Sequence, residues 1–154
     1  MLSRYLISLI IGLGAVGSGG AETTLSVHNA WIREAPPTAT ALAGYLTIEN
    51  HGVTPRKLIG AESAEFGSIE LHQSIVKNDV ASMVPKKSVT IPPAGGKVEL
   101  RPNGCHLMML APTKPLRAGQ QVTVTLKFNG NENVTTTMPV RSTGGTAMHH
   151  RNHH

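Results

Sequence analysis

Val122-Thr123-Val124-Thr125-Leu126-Lys127-Phe128 alternates apolar and polar side chains without a break. Successive side chains of a strand point to opposite faces, so this run reads as a half-buried β-strand with Val122, Val124, Leu126 and Phe128 turned to a core. Asn129-Gly130-Asn131 supplies the turn, and Val134 to Val140 returns, with Met138 in phase with Val140 and assigned to the core.

The same signals recur toward the N-terminus. Leu25 to Ile32 alternates loosely, Leu42 to Asn50 is a second strand ended by His51-Gly52, and Arg56 to Ala61 is a candidate third. Ser88 to Ile91 is short and punctuated by Pro92-Pro93 and Gly95-Gly96, after which Lys97 to Arg101 alternates and turns at Pro102-Asn103-Gly104. No segment carries a helical period, and no internal repeat is present. Many short strands at this spacing predict an all-β sandwich in a single domain. A mature chain of about 130 residues is long enough to build one core.

Between these strands lies the chemistry. Leu71 to Met109 contains His72, Met83, His106 and Met108, two imidazoles and two thioethers in a stretch otherwise poor in reactive groups. Thioether sulfur is a soft, uncharged ligand, and with imidazole nitrogen it points to copper, above all Cu(I). Ile69 to His72 and Val80 to Val84 read as a hairpin around Lys77-Asn78-Asp79. Closure about Lys77-Asn78 places His72 opposite Met83, with Cβ atoms roughly 4.5–5.5 Å apart. Closure about Asn78-Asp79 breaks that pairing, and the sequence leaves both registers open. His106 and Met108 are two apart and share a strand face, while Cys105, Leu107 and Met109 point the other way. All four candidate ligands are thus expected outside the core. Taken singly, each Met reads as core filler and each His as an ordinary surface or satisfied residue, but both methionines fall on the polar face beside histidines.

The pattern His72, Met83, His106-x-Met108 resembles the ligand motif of the PCu(A)C-type periplasmic copper chaperones. Ala30-Trp31-Ile32-Arg33-Glu34-Ala35-Pro36-Pro37, Ala43 to Asn50, Ile91-Pro92-Pro93-Ala94-Gly95-Gly96 and Gly104 to Met109 are similar to that family's landmarks in the same order. The resemblance runs from about Thr24 to Val140. It implies a cupredoxin-like Greek-key β-sandwich, Cu(I) bound by two His and two Met, and delivery of copper to the CuA centre of cytochrome c oxidase. Gln73 and Cys105 depart from the residues more usual at their places, and neither change removes a ligand.

Met1 to Ala21 reads as an export signal: Arg4 precedes the apolar run Tyr5 to Leu13, and small residues end at Ala21. The run is short for a membrane span, which needs ~20 apolar residues. No Cys lies near the expected cleavage point, which argues against a lipoprotein. The expected location is the periplasm, with no stable membrane insertion after cleavage. The formal net charge is +5, the basic residues are scattered and aromatic residues are few, so nucleic-acid binding has little support. Cys105, the only cysteine, has no intramolecular partner and reads as a small buried apolar residue. Its position next to His106 but on the opposite face counts against a blue-copper centre, which combines thiolate with imidazoles at one ion. Trp31 is assigned to an edge of the core, with shielding of copper as the second reading. His28 and His51 are read as solvated residues apart from the site.

Arg141 to His154 changes character. Ser142-Thr143-Gly144-Gly145-Thr146 is linker-like, and Met148, His149, His150, His153 and His154 form a metal-binding tract suited to Cu(II). A purification tag is the competing reading, and Arg151-Asn152 interrupts the pattern a tag would have. The leading function is a periplasmic copper chaperone serving the CuA subunit or another copper-transfer protein. A copper buffer without a dedicated acceptor is the alternative, followed by a structural sandwich with incidental ligands. An enzyme ranks last, because there is no nucleophile-base arrangement and Asp79 is the only Asp.

Overall fold

A computed structural model describes residues 23–144, so the expected signal segment and the His/Met tract fall outside the described residues. Ten strands follow one another: β1 (Leu25–Arg33), β2 (Ala41–Asn50), β3 (Arg56–Glu62), β4 (Phe66–Lys77), β5 (Val80–Pro85), β6 (Val89–Ile91), β7 (Gly96–Leu100), β8 (Cys105–Pro112), β9 (Gln121–Phe128) and β10 (Asn133–Arg141). No helix interrupts them among the described residues.

The strands form one sheet in the order β5-β4-β8-β2-β1-β10-β9-β3-β6. A further β3–β4 pairing, Ala61 with Ile69, closes seven of them into a barrel. The expected sandwich is therefore joined at its edges. Crossovers from β2 to β3 and from β8 to β9 make the connections Greek-key in character. β2 divides its edge, pairing Ala41 to Gly44 with β8 and Leu46 to Asn50 with β7. β1 and β10 run parallel through Ile32↔Val140.

The alternation read from β9 is realised in burial. Val122, Val124, Leu126 and Phe128 are buried, and Met138 and Val140 on β10 join them. Leu42, Leu46 and Ile48 of β2, Leu71 of β4 and Leu107 and Met109 of β8 complete the interior from the other side. Each such side chain contributes roughly 1.5–3 kcal/mol by leaving water. This barrel wall fixes the opposite face of β4 and β8, where His72, His106 and Met108 stand, with Met83 on the adjoining β5.

Asn50 and His106 are the buried polar side chains among the described residues, and Asn50 is wholly out of contact with water. Asn50 donates through Nδ2 to the Thr54 carbonyl at 2.8 Å and the Ile91 carbonyl at 3.3 Å, and its Oδ1 accepts from Gly52 N at 3.0 Å. It ties the end of β2 to β6, using donors and acceptors that would otherwise be buried without partners. Asn50→Ala should cost about 2–3 kcal/mol, read as a lower urea midpoint with an unchanged slope.

Candidate metal centre

The placement of the ligands follows from two registers. β4 pairs with β8 so that His72 lies directly opposite His106, and Glu70 opposite Met108. β4 pairs with β5 through a two-residue turn, Asn78-Asp79, both at positive φ (51° and 60°), which is the conformation that matches strand twist in a tight hairpin. Lys77 therefore faces Val80, Ser74 faces Met83, and His72 faces Pro85. The expected direct pairing of His72 with Met83 does not occur. The slip amounts to two residues, so Met83 keeps the face of His72 and moves one diagonal step away.

A second expectation is also corrected. His106 does not stand at the exterior: it is only 2% exposed. The register Trp31↔Tyr45 and the run of β2 beside β8 set a row of rings across the outer face. Trp31 packs on Tyr45 with ring centroids 4.7 Å apart, Tyr45 lies 6.4 Å from His106, and His106 lies 6.2 Å from His72. Trp31 is thus separated from the imidazoles by Tyr45, whose hydroxyl is pushed above its ordinary pKa by burial and pulled partly back by Arg33.

Each imidazole has one nitrogen occupied and one left over. His106 Nδ1 is 3.1 Å from the Gly104 carbonyl and must carry the proton to donate to it, which leaves Nε2 with a lone pair. His72 Nε2 is 3.0 Å from Glu70 Oε2, which by the same argument leaves the lone pair on Nδ1. His106 Nε2 and His72 Nδ1 are both buried and lack a hydrogen-bond partner among the described residues. Buried polar atoms are ordinarily satisfied, and two such unpartnered nitrogens on neighbouring rings are the donors a cation would take. An ion ~2 Å from a ring nitrogen lies ~3 Å from that ring's centre, so two imidazoles on one ion have centres at most about 6.5 Å apart; the 6.2 Å separation lies just inside that limit, and a tetrahedral ion requires the rings to close by about 1 Å.

The thioethers differ in position. Met108 is two residues from His106 on the same face and is half-buried. Met83 is 55% exposed on a strand exposed along its whole length. On a flat sheet Met83 and Met108 would be on the order of 16 Å apart, with His72 between them. The pairing of β4 with β8 sets His72, His106 and Met108 near one another, and Met83 stands apart on β5. Behind the site, Cys105 is half-buried against the core as expected, and burial pushes its thiol up, against smaller opposing effects of Lys86 and the His106 backbone. Glu70, Tyr45 and the Gly104 carbonyl were not singled out in the sequence; the i, i+2 spacing of Glu70 from His72 on a strand was the available signal for the first.

Residues 25–140 match the family described as LpqE-like, named for a lipoprotein. The chain belongs to the LpqE-like family. Lxx21020 of Leifsonia xyli subsp. xyli, which bears a lipoprotein name, is 33% identical to this LpqE-like chain over 121 residues, 79% of this chain and 72% of its own. Among solved structures, the apo PCuAC domain from PmoF1 is 28% identical with a TM-score of 0.65, over 77% of this chain and 94% of that one. The copper-bound PCuAC domain from PmoF2 shares the fold, with a TM-score of 0.65 at 24% identity, over 77% of this chain and 93% of that one. The LpqE-like domain is therefore a PCu(A)C-type domain with a cupredoxin-like barrel.

The hydrogen bonds make a definite expectation for the metal-free protein. Above the range in which imidazole is protonated, ¹⁵N NMR should show His72 as its Nε2–H tautomer and His106 as its Nδ1–H tautomer. Glu70→Leu should release the preference at His72 and leave that at His106.

Proposed function

We propose that this domain is an exported copper carrier, and not an enzyme, in which His72 Nδ1, His106 Nε2 and Met108 hold Cu(I) and Met83 is the fourth ligand, brought in by the β4–β5 hairpin. The observation that carries the reading is the pair of buried, unpartnered imidazole nitrogens beside a thioether. Two imidazoles and thioether sulfur are neutral, soft donors that suit a monovalent copper ion. Neither ligand type must lose a proton at neutral pH to bind. The likeness to PCu(A)C domains, one of them solved with copper, supports the same cargo.

Transfer follows from exposure. His106 anchors the ion from beneath, while Met83 lies open at the surface, where a partner's ligands can replace it first. The acceptor we propose is the CuA subunit of cytochrome c oxidase or another copper-transfer protein. The periplasm is the proposed location. A copper buffer with the same site is the alternative: loss of the gene impairs oxidase assembly in the first case and causes copper sensitivity alone in the second. The tract Met148, His149, His150, His153 and His154 is proposed to capture Cu(II), which imidazoles without a thiolate suit.

Anaerobic Cu(I) titration should give a one-to-one complex. His72→Ala, His106→Ala and Met108→Ala should each weaken it by about tenfold or more, and Met83→Ala by less. Equal binding in wild type and all four variants would refute the site. Ending the chain at Thr143 should remove one weaker Cu(II) equivalent and leave Cu(I) binding intact.

A further inference from the structure

His28 and His51, far apart in sequence, meet on the surface. β1 and β2 pair with Ser26 opposite Glu49, and His28 and His51 flank that pair on a diagonal of the same outer face. Ser26 Oγ lies 3.0 Å from His28 Nε2 and 2.9 Å from His51 Nε2. Glu49 faces both rings, with Oε2 at 3.6 Å from His28 Nε2 and Oε1 at 3.8 Å from His51 Nδ1. The irregularity in β1 between His28 and Trp31, with Asn29 at φ 51°, adjusts the strand beside His28. The reading of these histidines as separate solvated residues is corrected in this respect: each is about half exposed, but they share a serine and a carboxylate.

We propose that His28, His51 and Glu49, gathered around Ser26, form a second metal site for a divalent ion that prefers nitrogen and oxygen ligands, Cu(II) or Zn(II). One hydroxyl can donate to only one of the two ring nitrogens facing it, so the other contact requires an N–H pointing at Ser26 Oγ. A cation placed between the rings replaces this arrangement and takes a lone pair from each. Two imidazoles and a carboxylate are a common ligand set for such ions, and the absence of sulfur disfavours Cu(I). The side chains do not form a closed cage as they stand. Closing it requires the rings to turn inward until both nitrogens lie ~2 Å from one ion, a rotation open to side chains about half exposed. Lys97 Nζ, 3.4 Å from Glu49 Oε2, must withdraw, and it is 61% exposed and free to do so.

This cluster is distinct from the His72–His106 centre. Glu49 lies on the same face of β2 as Tyr45, four residues and about 14 Å further along the strand. It gives one domain separate places for soft monovalent and harder divalent ions.

The test uses the full chain, titrated with Cu(II) to three equivalents and separately with Zn(II), followed residue by residue in ¹H–¹⁵N NMR spectra. Cu(II) should broaden, and Zn(II) should shift, the amide signals of Ser26, His28, Glu49 and His51. His28→Gln and His51→Gln should each weaken that local response about tenfold or more, without changing Cu(I) binding at His72 and His106. Residue-level detection separates the response from that of the C-terminal histidines. Signals around residues 26–28 and 49–51 that do not respond to either metal, or respond equally in the two variants, would overturn the proposal.

Discussion

The pairing of β4 with β8 is the constraint on which the site depends. It sets His72 opposite His106 and Glu70 opposite Met108 on the outer face, while Leu71, Leu107 and Met109 seal the inner one. Because side chains alternate strictly, the packing that fixes the buried residues also fixes the ligands. A shift of this register by one residue would send Leu71 to solvent and His72 into the core. The hydrophobic interior therefore specifies the geometry of the proposed ligands without touching them.

Tyr45 and Trp31 extend that constraint across the sheet. Tyr45 lies beside the buried His106 and Trp31 packs on Tyr45; His106 Nε2 is out of contact with water, while the Gly104 carbonyl takes Nδ1. Glu70 does the corresponding work for His72. Each ring is thus turned and its tautomer set before any ion arrives, so that binding requires little rearrangement of these two ligands. Met83 is different, since it rides on an exposed edge hairpin. A firm half and a loose half suit the proposed role, in which the site holds copper and also releases it.

Much of the fold was legible because its strands are simple. Alternation in Val122 to Phe128 and the turn at Asn129-Gly130-Asn131 reappear as β9, β10 and their connection, and Lys97 to Arg101 reappears almost intact as β7. The closure of the sheet was not legible, because a single β3–β4 bridge between Ala61 and Ile69 leaves no local pattern. Among the candidate ligands, the shared face of His106 and Met108 follows from their spacing alone. The hairpin register does not: Lys77-Asn78 and Asn78-Asp79 are both plausible turns by residue type, and the left-handed conformation of Asn78 and Asp79 selects the second. The burial of His106 depends on Tyr45, a neighbour in space and not in sequence. The meeting of His28 with His51 likewise needs the β1–β2 register.

The chain belongs to the LpqE-like family and has the PCu(A)C-type fold, but the chemistry turns on whether nitrogen and sulfur reach one ion. X-ray absorption at the copper K-edge, on protein loaded anaerobically with one equivalent of Cu(I), reads that shell directly. The account predicts a mixed shell of imidazole nitrogen and thioether sulfur, with the sulfur contribution lost when Met83 and Met108 are both replaced by Ala. A shell of nitrogen and oxygen alone, or sulfur scattering unchanged in the double variant, would contradict it.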